Sequence, residues 1–278
     1  MKIALLLTGQ LRTFHMCKHL VKNVLLDKHD VDVFLSIDMT NQFQTENLNT
    51  LSDSSIEDVQ EALDFYDPVN VFINTEYDSE FSKFEFPPSL LQRFPLHSLR
   101  LLYQQYFIVH QAYLLLQQHL SSQQNPPHYY DIILRLRFDQ FFWNDSDHRY
   151  LLAVERNKEN QIRYNTNNIE ILKEKSKLSK LELDKPVGKK VYVLGFGCHS
   201  GYYPFVNDQF FIHSQETYPL FQDFYEELID IIMEALSSPP FPDKGCYFEH
   251  FFYRFLQRHQ LEYHKSIING MFIRQQYS

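Results

Sequence analysis

Three short stretches carry residue types that could do chemistry. In YYDIILRLRFDQFF (129–142), Arg135, Arg137 and Asp139 alternate out of the end of an apolar run. Charge at the end of a core strand is costly unless it is paired, solvated or bound to something. Thr8, Gly9, Gln10 and Arg12 follow the first apolar run in LLLTGQLRTF, and Ser36 and Asp38 close the second in FLSID. Asn207-Asp208-Gln209 precedes a further apolar run, FFIHS, and Glu249 lies in a later helical segment. Several cations beside a few carboxylates suit a diphosphate with a metal, because Mg²⁺ or Mn²⁺ takes carboxylates together with phosphate oxygens.

Such residues converge only if the elements carrying them end on one side of a sheet. Residues 3 to 8 read as a buried strand, followed by a Thr8-Gly9-Gln10 turn and a helix with Cys17, Leu20, Val21, Val24 and Leu25 at helical spacing. Val31 to Ile37 is a second strand and VNVFINTE (69–76) a third; between them SSIEDVQEALDFY is a helix capped by Ser54 or Ser55. Residues 77 to 96 read as a loop punctuated by Pro87, Pro88 and Pro95, before a long helix closed by Asn125-Pro126-Pro127. The arginine stretch is the fourth strand. Near-continuous apolar strands alternating with helices predict an α/β fold with a mostly parallel sheet covered on both faces. In such sheets ligands bind outside the carboxyl ends of the strands, where these polar residues collect.

From 155 to 190 the chain is polar and lysine-rich, an excursion from the sheet. The sheet resumes at VYVLGFG and FFIHS; Ser214 caps a helix bearing Tyr218, Phe221, Phe224, Tyr225, Leu228, Ile229 and Ile232. A helix over 246–259 and a final strand, LEYHKSIING, complete one domain over 1–278, with 1–150 before the excursion and 191–278 after it.

The formal charge of −9, with no pronounced basic run, excludes a surface that tracks a nucleic-acid backbone. Three scattered cysteines, Cys17, Cys198 and Cys246, fit a reducing, cytoplasmic setting. The opening apolar run is too short for a signal peptide, and no stretch approaches a transmembrane span, while peripheral membrane contact stays open. The histidines show no HExxH pair and read as structural or surface residues.

MKIALLLTGQLRTF, DVDVFLSID, SLRLLYQQYFIVHQAY, YYDIILRLRFD and VNDQFFIHS, in this order and spacing, resemble the small GT-A-type glycosyltransferases of bacterial surface-polysaccharide clusters and large DNA viruses. The resemblance spans most of the chain outside 155–190. It implies a nucleotide-diphospho-sugar transferase sheet with the donor nucleotide over the ends of the first strands, and a glycan or glycolipid acceptor. Such enzymes carry Asp-x-Asp after the fourth strand to hold Mn²⁺ or Mg²⁺ on the diphosphate. Here the matching segment is Arg137-Phe138-Asp139, so an arginine stands where the first carboxylate would be. Either Asp139 alone holds a metal, with Asp145 and Asp147 as substitutes, or Arg137 neutralises phosphate directly. Thr8, Gly9, Gln10, Arg12, Asp38, Arg135 and Arg137 are the expected donor-binding residues. The base that takes the acceptor's proton is assigned to Asp208, with Glu249 second.

Each residue also has a plain structural alternative. Gly9 turns the chain, Arg12 opens a helix, Arg135 and Arg137 pair with neighbouring acids, Ser36 and Asp38 end a strand, and Asp208 closes an Asx turn. Trp143 and the phenylalanines beside it are core by default, and the lysines of 172–190 a solvated face. Two other functions stay open: a non-catalytic nucleotide-sugar or carbohydrate binder, and a metal-dependent phosphoryl hydrolase using Asp139, Asp145 and Asp147.

Overall fold

The computed structural model describes residues 1–11, 14–40, 54–122, 129–144, 183–193, 206, 208, 210–237, 247–266 and 268–272. Its strands are β1 (Lys2–Gly9), β2 (Asp30–Asp38), β3 (Asn70–Asn74), β4 (Ile132–Arg137), β5 (Gln140–Asn144), β6 (Lys190–Val193), β7 (Phe211–His213), β8 (Glu262–Lys265) and β9 (Ile268–Phe272). Seven of them form one sheet in the order β3-β2-β1-β4-β7-β6-β8, while β5 and β9 pair separately. β1 to β4 run parallel; β7 is antiparallel to both β4 and β6. The α/β class and the mostly parallel sheet are therefore as expected. The reversal at β7 matters for the site, because the residues that enter an antiparallel strand lie at the carboxyl ends of its parallel neighbours.

Period-two alternation sorts the sheet's side chains into two layers. Ile3, Leu5, Leu7, Val33, Leu35, Ile132, Leu134 and Leu136 pack on one face with α1 (Phe14–Val21) and α2 (Ile56–Tyr66). Ala4, Leu6, Phe34, Ile133 and Phe211 pack on the other with the long helix, here α5 (Leu96–Ser122). Two short helices, α3 (Asp78–Phe81) and α4 (Pro88–Leu91), precede α5; α6 (Tyr218–Asp223), α7 (Leu228–Ser237) and α8 (Tyr247–Arg258) follow β7. No helix among the described residues is long and apolar enough to cross a membrane.

Both candidate caps at the start of α2 are used, for different jobs. Ser55 forms a capping box with Asp58, each side chain bonding the other's backbone N–H, while Ser54 Oγ accepts from Leu11 N at 2.8 Å and ties the end of β1 to this helix. Ser55→Ala is expected to cost about 1 kcal/mol in a urea melt.

Several expectations need correcting. Residues 77–96 are not simply loop but contain α3 and α4, the latter opened by Pro88 at its first position. The aromatics after Asp139 form β5 in the small sheet, and LEYHKSIING divides into β8 and β9, which belong to different sheets. The helix after Ser214 is broken into a 3₁₀ turn (Gln215–Thr217), α6 and α7, and Ser214 Oγ donates to Gly188 O instead of capping. Most of the 155–190 excursion lies outside the described residues.

Candidate functional site

On the α5 face the apolar alternation turns polar toward the carboxyl ends. Leu6 gives way to Thr8, Phe34 to Ser36 and Asp38, and Ile133 to Arg135 and Arg137. Register aligns them: Thr8 pairs with Ser36 and with Arg137, and Leu6 with Arg135. The strand spacing LRLR thus sends both arginines to one face and leaves Leu134 and Leu136 for the apolar layer behind. α5 runs over this row, so its first turns supply the facing side chains.

Arg135 is 2% exposed. Its Nε donates to Thr8 Oγ1 at 3.0 Å and its Nη1 to the backbone carbonyl of Asp208, while the guanidinium carbon lies 5.8 Å from the Phe211 ring centroid. Burial pulls its pKa down to about 10, with Asp208 acting in the opposite direction, so it stays cationic at neutral pH. Asp208 is likewise 2% exposed. Its Oδ2 accepts from Gln105 Nε2 at 2.8 Å and Tyr106 OH at 3.3 Å, whereas its buried Oδ1 has no hydrogen-bond partner. Burial raises the Asp208 pKa against the pull of Arg135 and Arg137.

Glu249, in the first turn of α8, is half-buried and stands close enough to Asp208 to feel its charge. Burial first, then that neighbouring negative charge, pushes Glu249 up to about 7. Its backbone carbonyl accepts from Val206 N at 3.3 Å, which docks the segment entering β7 onto α8. Two carboxylates therefore meet at the sheet's carboxyl edge in unequal settings, Asp208 sealed and Glu249 reaching the surface. A group that takes a substrate proton must be reachable, and of the two Glu249 is the one that reaches the surface.

Arg137 grips Asp139 with a two-pronged contact, Nε to Oδ1 at 2.8 Å and Nη2 to Oδ2 at 2.7 Å. Burial pulls the Arg137 pKa down, and the charge and hydrogen bonds of Asp139 together outweigh it and hold that pKa above its ordinary value. The resemblance implies a divalent ion at Asp139. Both carboxylate oxygens there already face a guanidinium, and a cation would meet that positive charge first. Among the described residues no group of three or more His, Cys, Asp or Glu is placed to hold a metal. These residues do not fit a metal at Asp139.

Asp38 ends β2 inside a closed network. Its Oδ1 accepts from Thr40 N, Thr40 Oγ1 and Asn74 Nδ2 at 3.1, 2.8 and 3.1 Å, and Gln104 Nε2 reaches Oδ2 at 3.0 Å. Burial nevertheless raises its pKa. Thr40 O in turn accepts from Gln10 Nε2 at 2.9 Å, so the network braces the turn after β1. Gly9 at φ +111° makes that turn, a conformation that strains any residue with a Cβ. Gln104, fully buried, is the group sequence reasoning missed. Arg100 Nη1 donates to its Oε1 at 3.0 Å, which fixes the amide so that its N–H groups face Asp38 and Thr40. Gln104→Leu is expected to cost about 1–3 kcal/mol in a chemical melt, because Asp38 loses a buried donor.

Thr8, Arg135, Asp208 and Glu249 thus form one cluster, with Arg137 and Asp139 at its edge; Gln10 and Asp38 belong to the neighbouring brace. Arg12, Asp145, Asp147, Asn207 and Gln209 lie outside the described residues. No family model matches the sequence, and no curated protein does. Among solved structures the chain is similar to mouse xyloside xylosyltransferase 1 in its apo form, at 12% identity over 95% of this chain and 85% of that one, with a TM-score of 0.40.

Proposed function

We propose that the protein is a glycosyltransferase that moves a hexosyl or pentosyl group from a nucleotide-diphosphate donor to a hydroxyl of a glycan or glycolipid acceptor. The observation that carries this reading is the pairing of Glu249 with Asp208 beside two arginines, at the carboxyl edge where α/β sheets bind ligands. Glu249 is the base. It takes the acceptor's hydroxyl proton as that oxygen bonds the anomeric carbon, while the bond from that carbon to the diphosphate breaks and its electron pair leaves with the nucleotide. A base works best with a pKa near the working pH, and about 7 meets that demand. Asp208 is a positioning residue whose charge, held by Gln105, Tyr106 and Arg135, keeps Glu249 basic. The cationic side of the site answers charge developing on the leaving diphosphate. The motif resemblance and the mostly parallel sheet support the same reading.

A thermal-shift panel of UDP-, GDP- and dTDP-sugars tests it. A donor present at about 100 times its dissociation constant stabilises the fold by about 2.7 kcal/mol, a rise of about 5 °C or more in Tm. One nucleotide class is expected to stand out; no shift with any donor, with or without Mn²⁺, sinks the reading.

A further inference from the structure

In a chain with 18 Tyr and 25 Phe, Tyr263 is the one exposed aromatic ring among the described side chains, at 45%. It lies on β8, the edge strand, whose four residues are all exposed. β6 is antiparallel to β7 and β7 to β4, so β8, parallel to β6, points its carboxyl end to the edge where Asp208 and Glu249 meet. Tyr263 pairs with Val191, which packs in the same layer as Phe251 and Phe252 of α8, and so stands on the α8 side of the sheet. There it meets Tyr253 edge to face, with ring centroids 6.0 Å apart and planes at 82°. Such a contact uses one face of one ring and only the edge of the other, so each ring keeps a face. Gln257 Nε2 donates to Tyr253 OH at 2.6 Å, and Arg254 Nη1 to Gln257 Oε1 at 3.5 Å. Ring faces are thus set within a rim of hydroxyl, amide and guanidinium groups. A sugar matches that chemistry, with apolar C–H faces and a rim of hydroxyls, whereas a lipid chain has nothing to offer the rim.

The platform also lies in line with the base. Glu249, Tyr253 and Gln257 follow one another at i, i+4 along the outer side of α8, half-buried, half-buried and exposed. At 1.5 Å per residue, Tyr253 is about 6 Å along the helix axis from Glu249, roughly the length of one sugar ring. We infer that Tyr253 and Tyr263 stack a sugar unit of the acceptor one turn of α8 from Glu249, so that the acceptor is a glycan chain and not an isolated lipid hydroxyl. This rests on the transferase reading above, in which Glu249 is the base. One unit of the chain lies on the rings while the next presents its hydroxyl to the carboxylate.

A printed glycan array probed with the full chain, followed by calorimetric titration of the best oligosaccharide and of UDP, GDP and dTDP, tests it. Wild-type protein is expected to retain a defined set of oligosaccharides. Tyr263→Ala should weaken the best of them by about tenfold or more, and Tyr263→Trp, which keeps a ring, should bind it within about threefold of wild type. Because Tyr263 is exposed on an edge strand, both variants should keep the wild-type Tm and nucleotide affinity. In transfer assays the loss in Tyr263→Ala should appear as a raised acceptor KM with kcat kept at saturation. Equal oligosaccharide affinity in wild type and Tyr263→Ala overturns the inference while the transferase reading stands. So does a protein that binds a nucleotide but retains no glycan, or one that binds phosphatidylglycerol vesicles through Tyr263 in place of glycans. A protein that binds neither nucleotide nor glycan overturns both.

Discussion

Glu249→Gln is expected to abolish sugar transfer while leaving donor affinity intact. General-base catalysis contributes about 10²- to 10⁴-fold, and the amide keeps the side chain's shape but cannot take a proton. The loss therefore falls on kcat, with the donor's dissociation constant unchanged. The wild-type pH profile should carry the same signature. A base acts when deprotonated, so activity rises with pH and reaches half its plateau at about 7, where Glu249 titrates. Asp208→Asn separates the two carboxylates: without the neighbouring negative charge Glu249 becomes more acidic, and the acid limb moves below 7 while the burial contribution remains. A merely structural Asp208 would lower activity at every pH without moving the limb. If Glu249→Gln keeps wild-type kcat, neither carboxylate has the assigned role.

What could be read from the chain follows from which signals are local. The near-continuous apolar runs of β1, β2 and β4 give the parallel core, and period two alone puts Arg135 and Arg137 on one face. Side chains that answer them from α5 were hidden. Gln104 and Gln105 sit in a helix with a wide apolar stripe, and a glutamine there reads as surface until the sheet beneath supplies Asp38 and Asp208 as acceptors. Asp208 itself was placed at the correct edge, because a loop entering a strand beside β4 must pass there. Its burial was not legible, since it depends on docking of the 206–208 segment onto α8 through Val206 and Glu249. The pairing of Arg137 with Asp139 is equally open in the sequence: two residues apart across a turn, they fit a metal motif and a salt bridge alike, and only the 2.8 and 2.7 Å contacts show that the salt bridge forms.

Arg135→Met should be the most damaging substitution for stability, at about 3–5 kcal/mol, because it leaves buried charge and polar groups without their partner. Against a total of about 5–15 kcal/mol for a typical domain, that is enough to bring the fold near its threshold. Thr8 Oγ1 and the Asp208 carbonyl lose their donor, and the Asp208 carboxylate loses the cation that opposes its desolvation. The pH dependence gives the cause away. Asp208 is already raised above its ordinary 3.8, and removing Arg135 raises it further. A carboxyl raised in the folded state supports folding while both states hold the proton, and that support is lost as pH climbs through the folded pKa. The penalty of Arg135→Met should thus be smallest near pH 4 and grow toward neutrality. Adding Asp208→Asn removes the stranded charge, so the double variant should be more stable than the sum of the single losses predicts, with a coupling of about 0.5–3 kcal/mol. Urea melts of the four proteins at acid and neutral pH measure this. A single loss below about 1 kcal/mol, with additive effects, would mean that Arg135 is not held by Asp208 and that the cluster is not an electrostatic unit.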